Sequence, residues 1–304
     1  MVAPSIVRRR PTFAWAMLIL ANVLWAASYV AAKYVLTDIS VTTMLALRMG
    51  ISSLVLLPLL IVKRKELNLT RKVLPQLLVL VLSGFIVNKF LEYAGLALTT
   101  ASDVALLITS ESIFTVALSW IVLRERFRAL TGAALLLGFL GVYLIVERSL
   151  IPNIPSGGAY RIVGDLLVVL ALLVEAFYTV RGKSLLVKHP PLLITAFSIV
   201  GSMVFWLPVA GVSIAITGWQ PLGLAAWLGL GWLAIMSTVI AYLAWFRGLK
   251  DVDGSAAASA LFIQPLLGTL LAIVLLHDQL TPMTVVGGLL IIVSVYIISR
   301  HGNP

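Results

Sequence analysis

The chain has 304 residues, of which 61% are hydrophobic and 11% charged, whereas a soluble domain is about half apolar and a quarter charged. That balance excludes a soluble globular protein, and it makes the net charge of +10 a question of membrane topology rather than of nucleic-acid binding. Cysteine is absent, which removes disulfides, thiol chemistry and thiolate metal sites.

A bilayer crossing takes roughly 20 apolar residues, and the apolar runs predict ten spans, at 12–36, 42–62, 73–98, 103–123, 130–147, 162–186, 191–215, 222–247, 256–276 and 283–299. The first follows Arg8, Arg9 and Arg10; it is too long for a cleaved signal and lacks a clear small-residue cleavage site, so a retained span is expected. Within it Asn22, Trp25 and Tyr29 recur at i, i+3 and i+7 and form one stripe. Lys33 near its end and Arg48 early in span two are either snorkelling anchors or parts of an extracytoplasmic gate. Span three carries Asn88, Lys89, Glu92 and Tyr93, with Lys89 and Glu92 three apart on one face; they form an ion pair that lets the span insert, line a cavity, or do both. Glu111 in span four and Glu175 in span six have no basic residue one turn away, so each binds a substrate ammonium, takes up a proton, or is a neutral carboxyl bonded to a neighbouring helix. Tyr178, Tyr242, Trp245 and Gln264 fall at comparable depths and could complete an amphipathic pocket. Ala134, Gly138 and Gly141 in span five, with Gly287 and Gly288 in span ten, predict close helix approach.

The loops add orientation. Lys63, Arg64, Lys65, Arg71, Lys72, Arg124, Arg126, Arg128, Arg181, Lys183, Lys188, Arg247, Lys250 and Arg300 fall in or beside alternate loops, and the intervening loops hold only Arg148 and Arg161. The positive-inside rule then places both termini in the cytoplasm. A Pro- and Gly-rich stretch, 151–160, reads as an extracytoplasmic linker between a first half (1–150) and a second (161–304).

Shifting the chain by 153 residues sets Gly95-Leu96 on Gly248-Leu249, Ser102 on Ser255, Ala105 on Ala258, Glu125 on Asp278, Thr131 on Thr284 and Tyr143 on Tyr296 without a gap. Such coincidences imply duplication, and a five-span copy must enter the membrane in the opposite sense, giving two inverted repeats.

The pattern LANVLWAASYVAAKYVL (20–36), LALRMGISSLVLLPLL (45–60), YAGLALTTASDVALL and FRGLKDVDGSAAASAL at the ends of spans three and eight, and LRERF and LHDQL closing spans four and nine, resembles the drug/metabolite transporter superfamily, in particular its ten-span EamA type. The resemblance covers nearly the whole chain and implies an all-α integral membrane protein of ten helices, a secondary transporter whose path is lined mainly by spans one, three, four, six, eight and nine. It further implies export of amino acids, aromatic or hydrophobic ones foremost, or of related metabolites. The first half has Glu111-Ser112 where the second has Gln264-Pro265; the missing proline implies a less kinked helix and places an extra carboxyl at that depth.

On this reading a central cavity holds Asn22, Trp25, Tyr29, Asn88, Glu92, Tyr93, Glu111, Glu175, Tyr178, Tyr242, Trp245 and Gln264, while Lys33, Arg48 and Lys89 serve as gate or ion pair. Partners are a small solute, the lipid of a cell inner membrane and, where transport is coupled, protons; the chain is expected to act as a monomer. A proton-coupled exporter of cationic drugs is the alternative. An enzyme fits poorly: His189, His277 and His301 all lie at span ends, and HExxH and GxSxG are absent. Gly182-Lys183-Ser184 lacks the upstream glycine of a phosphate loop, so no nucleotide, metal or other cofactor is expected, and Asn68-Leu69-Thr70 lies in a basic loop on the wrong side for glycosylation.

Overall fold

The computed structural model describes residues 11–63, 70–108, 110–123, 129–147, 158–186, 188–219, 221–251, 257, 259–277 and 280–301. Every regular element among them is helical, and the helices follow one another as ten rods. Rod one joins Pro11–Ala26 to Ser28–Leu36, and rod two is Val41–Val62. Rod three passes from Leu74–Leu80 through a π-helical stretch, Val81–Val87, into Asn88–Leu98. Rod four consists of Ala101–Leu107 and Ser110–Leu123, and rod five is Ala129–Glu147. Rods six and seven are Gly158–Leu186 and Pro191–Thr217. Rod eight repeats the plan of rod three, with Leu224–Gly231, a π-helical Trp232–Ile240 and Ala241–Asp251. Rod nine opens with a 3-10 turn, Ser259–Phe262, before Ile263–Leu276, and rod ten is Pro282–His301.

Chains this apolar become helices because lipid offers no partner for a backbone N–H or C=O, and a helix satisfies both within one segment. Local chemistry places the ends. Ser40 caps rod two by accepting from the Thr43 amide at 3.3 Å, and Thr100 caps rod four by accepting from the Asp103 amide at 3.2 Å. Gly218, at φ 74°, ends rod seven in a conformation that disfavours any side chain. Large apolar side chains remain exposed along the rods, Leu54 at 75% and Val204 at 82% among them, which is the surface of a protein solvated by lipid.

The predicted spans coincide with the rods to within a few residues, but six rods, not ten, are each long and apolar enough to cross a membrane among the described residues. Rods five and ten contain shorter apolar helical stretches, Gly132–Gly141 and Val285–Ser294, and rods four and nine are each divided. The division of rod four corrects one expectation. Although Ser112 replaces proline there, one helix stops at Leu107 and another starts at Ser110, with the Glu111 amide bonded to the Ile108 carbonyl at 3.1 Å. Missing proline therefore does not make this copy more continuous. Gly158, Tyr160 and the residue between them, assigned to the linker from sequence, open rod six; 151–157, and the basic run 124–128, lie outside the described residues.

The most extensive packing joins rods five and ten, two and seven, three and six, one and eight, and four and nine. Small residues permit it, as expected for rods five and ten: a Cβ on Gly141 would stand 2.6 Å from the Gly287 carbonyl oxygen, and Ser294 Oγ donates to the Ala134 carbonyl at 2.5 Å. Rods three and six meet equally closely, because a Cβ on Gly95 would lie 2.6 Å from the Gly164 carbonyl oxygen and 2.8 Å from Val168. Gly95→Ala should lower thermal stability in detergent by about 1–3 kcal/mol, the usual cost of overpacking. An unchanged unfolding temperature would mean that these rods separate freely at that point.

Candidate functional site

Rods three and eight abandon α geometry just before the residues that face the middle of the bundle. In a π-helical stretch the turns are widened, which redirects the side chains that follow and loosens the hold of the helix on its own carbonyls. Indole groups from other rods take up that capacity. Trp206 Nε1 donates to the Phe85 carbonyl at 2.8 Å, Trp25 Nε1 donates to the Ser237 carbonyl at 2.9 Å, and Thr238 Oγ1 donates to the Leu233 carbonyl at 2.7 Å. Rod one is interrupted at Ala27, and the Leu24 carbonyl there accepts from Trp232 Nε1 at 3.2 Å.

Between these interruptions lies a cavity whose atom-free space, its opening to solvent included, is about 490 Å³. Its aromatic wall is Trp25, Tyr242 and Trp245, the ring centres of Trp25 standing 5.1 Å from Tyr242 and 5.5 Å from Trp245. Its charged wall is Arg48, Lys89, Glu92, Glu111 and Glu175. Tyr29, Tyr93, Asn88 and Gln264 complete the predicted set that lines it.

Charges this deep are costly unless paired or hydrogen-bonded. Lys89 lies 2.6 Å from Glu92 and 3.7 Å from Glu175, with Tyr242 O–H donating to Glu175 at 3.3 Å. The pairing of Lys89 with Glu92 foreseen from their spacing is thus present, and both also face the cavity. Glu175 is not isolated, contrary to expectation, because rod three delivers Lys89 to it across the bundle. Glu111 accepts from Thr179 Oγ1 at 3.5 Å.

Arg48 requires a larger correction. Sequence placed it near a helix end, as a snorkelling anchor or as part of a gate; it does not snorkel, being 1% exposed. Its Nε donates to Thr238 Oγ1 at 2.7 Å, Nη1 to the Tyr93 hydroxyl at 2.5 Å and Nη2 to Ser237 Oγ at 3.3 Å. Lys33 stands apart from the cavity and donates to the Thr99 carbonyl at 2.5 Å. Asn22 lies behind the wall, accepting from Gln264 Nε2 at 2.7 Å and donating to the Leu18 carbonyl. Tyr178 is also behind it, packed edge-on against Phe85 and Phe246.

Ser28, Ile108, Leu172 and Ser237 line the cavity without having been anticipated; small hydroxyl and apolar residues carry no signal in a span that is apolar throughout. A second buried group was also missed. Arg161 donates to Asp103 Oδ2 at 2.9 Å and 2.5 Å and to Thr100 Oγ1 at 3.3 Å, while Thr99 Oγ1 donates to Asp165 at 2.5 Å. These residues tie the end of rod three to the starts of rods four and six. Among the described residues no three of His, Asp and Glu converge closely enough to hold a metal ion.

The model of the EamA-like transporter family matches residues 12–147 and again 162–300. A protein of Archaeoglobus fulgidus described as an uncharacterized transporter is 28% identical over 284 residues, covering 92% of this chain and 95% of its own. A second from the same organism, described alike, is 29% identical over 286 residues, covering 94% and 98%. A probable terminal-alkyne amino-acid exporter of Streptantibioticus cattleyicolor is 24% identical over 290 residues, covering 94% and 93%. One crystal structure, 18% identical, has a TM-score of 0.68 over 96% of this chain and 99% of its own, a likeness of fold alone.

Proposed function

The chain belongs to the EamA-like transporter family, and on that premise we propose that it is a secondary transporter which exports hydrophobic or aromatic amino acids, or closely related metabolites, by alternating access through the cavity. One observation carries this reading: a chamber that sets indole and phenol rings against both cations and carboxylates. An aromatic wall takes an apolar side chain at little desolvation cost, and charged groups orient polar ends. The family model's two matches support a duplicated chain, which we take as two inverted five-helix repeats in a monomer of the cell membrane, with both termini in the cytoplasm. Because the chain has no cysteine, single cysteines introduced at each end and labelled from either face would test that orientation directly.

Flux is the decisive measurement. Counterflow in proteoliposomes should select phenylalanine, leucine or methionine from a panel that includes quaternary-ammonium drugs, run with and without a pH gradient. Selection of the drugs alone would favour the cationic reading, which Glu111 beside the aromatic wall also supports, and no flux of any solute would remove the transport reading. Where transport is proton-coupled, Glu111→Gln or Glu175→Gln should flatten its pH dependence. Wild-type pH profiles in both variants would exclude these carboxyls as the coupling groups.

A further inference from the structure

Of the two cations in the cavity, one is already answered by carboxylates and the other is not. Lys89 has Glu92 at 2.6 Å and Glu175 at 3.7 Å. Arg48 meets three neutral hydroxyls, those of Thr238, Tyr93 and Ser237, and among the described residues no carboxylate lies within ion-pair distance of it. A guanidinium has five N–H donors, so these bonds fix its plane and leave two donors uncommitted. The hydroxyls are themselves anchored: Ser237 Oγ accepts from Ser28 Oγ at 2.7 Å and Thr238 Oγ1 donates to the Leu233 carbonyl.

A tie between rods two, three and eight would not need a charge. Counted from the first residue of each helix, Ser198 holds in rod seven the place that Arg48 holds in rod two, and it is fully buried. A small neutral residue therefore suits that position in the fold. Keeping an arginine there costs desolvation energy that three hydroxyls and the Tyr93 ring, its centre 5.1 Å from the guanidinium, recover only in part, whereas a planar anion with two oxygens matches the fork of a guanidinium.

We infer that Arg48 is the group that reads the carboxylate of the transported solute, its plane preset by Thr238, Tyr93 and Ser237, so that the cavity selects carboxylic acids over their esters and amides. This rests on the transport reading for its cargo, but it predicts binding independently of flux. Glu111, the cavity carboxyl bonded to a hydroxyl rather than to a cation, is left to face the solute's ammonium end.

The test uses purified protein in detergent and follows tryptophan fluorescence, which Trp25 and Trp245 place in the cavity wall, as phenylalanine, leucine and methionine are added, each as free acid and as methyl ester. At least one free acid should bind about tenfold more tightly than its ester. Arg48→Gln should bring the acid down to the level of the ester while ester binding changes by less than about twofold, and Arg48→Lys should keep part of the preference. Ester binding doubles as the check that a variant is folded; if Arg48→Gln binds neither ligand, Arg48→Lys and Thr238→Val decide, each expected to narrow the ratio. Equal binding of acid and ester by the wild type, no binding of any free acid, or an undiminished ratio in Arg48→Lys and Thr238→Val would overturn the assignment. Flux of esters in preference to acids would sink it and leave transport standing; acid-selective binding without flux of any solute would do the reverse.

Discussion

Asp103→Ala is expected to destabilise the protein by about 3–5 kcal/mol, the usual consequence of leaving one half of a buried ion pair behind. Asp103 is fully buried and Arg161 is 5% exposed; two guanidinium nitrogens converge on one carboxylate oxygen. Removing the carboxylate takes from the buried guanidinium the acceptor of two of its hydrogen bonds. Replacing both partners, in Asp103→Leu with Arg161→Met, should recover most of the loss, because an apolar pair carries no desolvation cost. Thermal unfolding in a fixed detergent, with bound lipid controlled, would measure both variants. If Asp103→Ala unfolds with the wild type, the network contributes nothing measurable. The same bonds join rods three and four to rod six at one end of the bundle, and the 153-residue shift sets Asp103 on Ala256 and Thr99 on Val252, so the repeat carries no copy of these residues. Opening the Arg161 end should accordingly be the costlier of the two movements, and in Asp103→Leu with Arg161→Met a cysteine placed near Thr99 should react faster with a water-soluble maleimide.

Lys89→Met should have the largest effect on transport. The ammonium stands between Glu92 and Glu175 and 5.7 Å from the ring centre of Tyr242, so its loss leaves two cavity carboxyls with no cation between them. Flux should fall by at least about tenfold, equivalent to roughly 1.4 kcal/mol, and stability by about 3–5 kcal/mol. Adding Glu92→Gln should return much of the stability by removing one stranded charge, but not the flux, since the charged wall is still broken. Such a split between unfolding temperature and initial rate separates a cavity role from a purely structural one. Wild-type flux in Lys89→Met would remove this residue from the transport machinery.

How much of this was legible in advance varies residue by residue. The Lys89–Glu92 pair was readable because three residues along one helix fix a distance that no tertiary arrangement alters. Glu175 looked isolated because its cation sits on another rod, 86 positions away. Arg48 could be read as a surface anchor as readily as a gate because depth was judged from chain position, whereas the rotation of rod two, set by its long contact with rod seven, turns it inward. Asp103 and Arg161 are 58 residues apart and lie at predicted span ends, where charges are ordinary. The π-helical stretches left no mark in hydropathy at all.

Sequence alone determined that this is an all-α membrane protein and where its helices run. Lipid permits few spanning structures, and apolar length is a one-dimensional quantity that a string of residues records directly. Only the tertiary structure decided which charges meet, that Arg48 faces a cavity lined by hydroxyls, and that Tyr178, Asn22 and Lys33 do not line it. Those outcomes depend on how each rod is rotated about its axis and on two local widenings of the helix, and a turn of one residue, about 100° for 3.6 residues per turn, exchanges a lipid-facing side chain for a buried one.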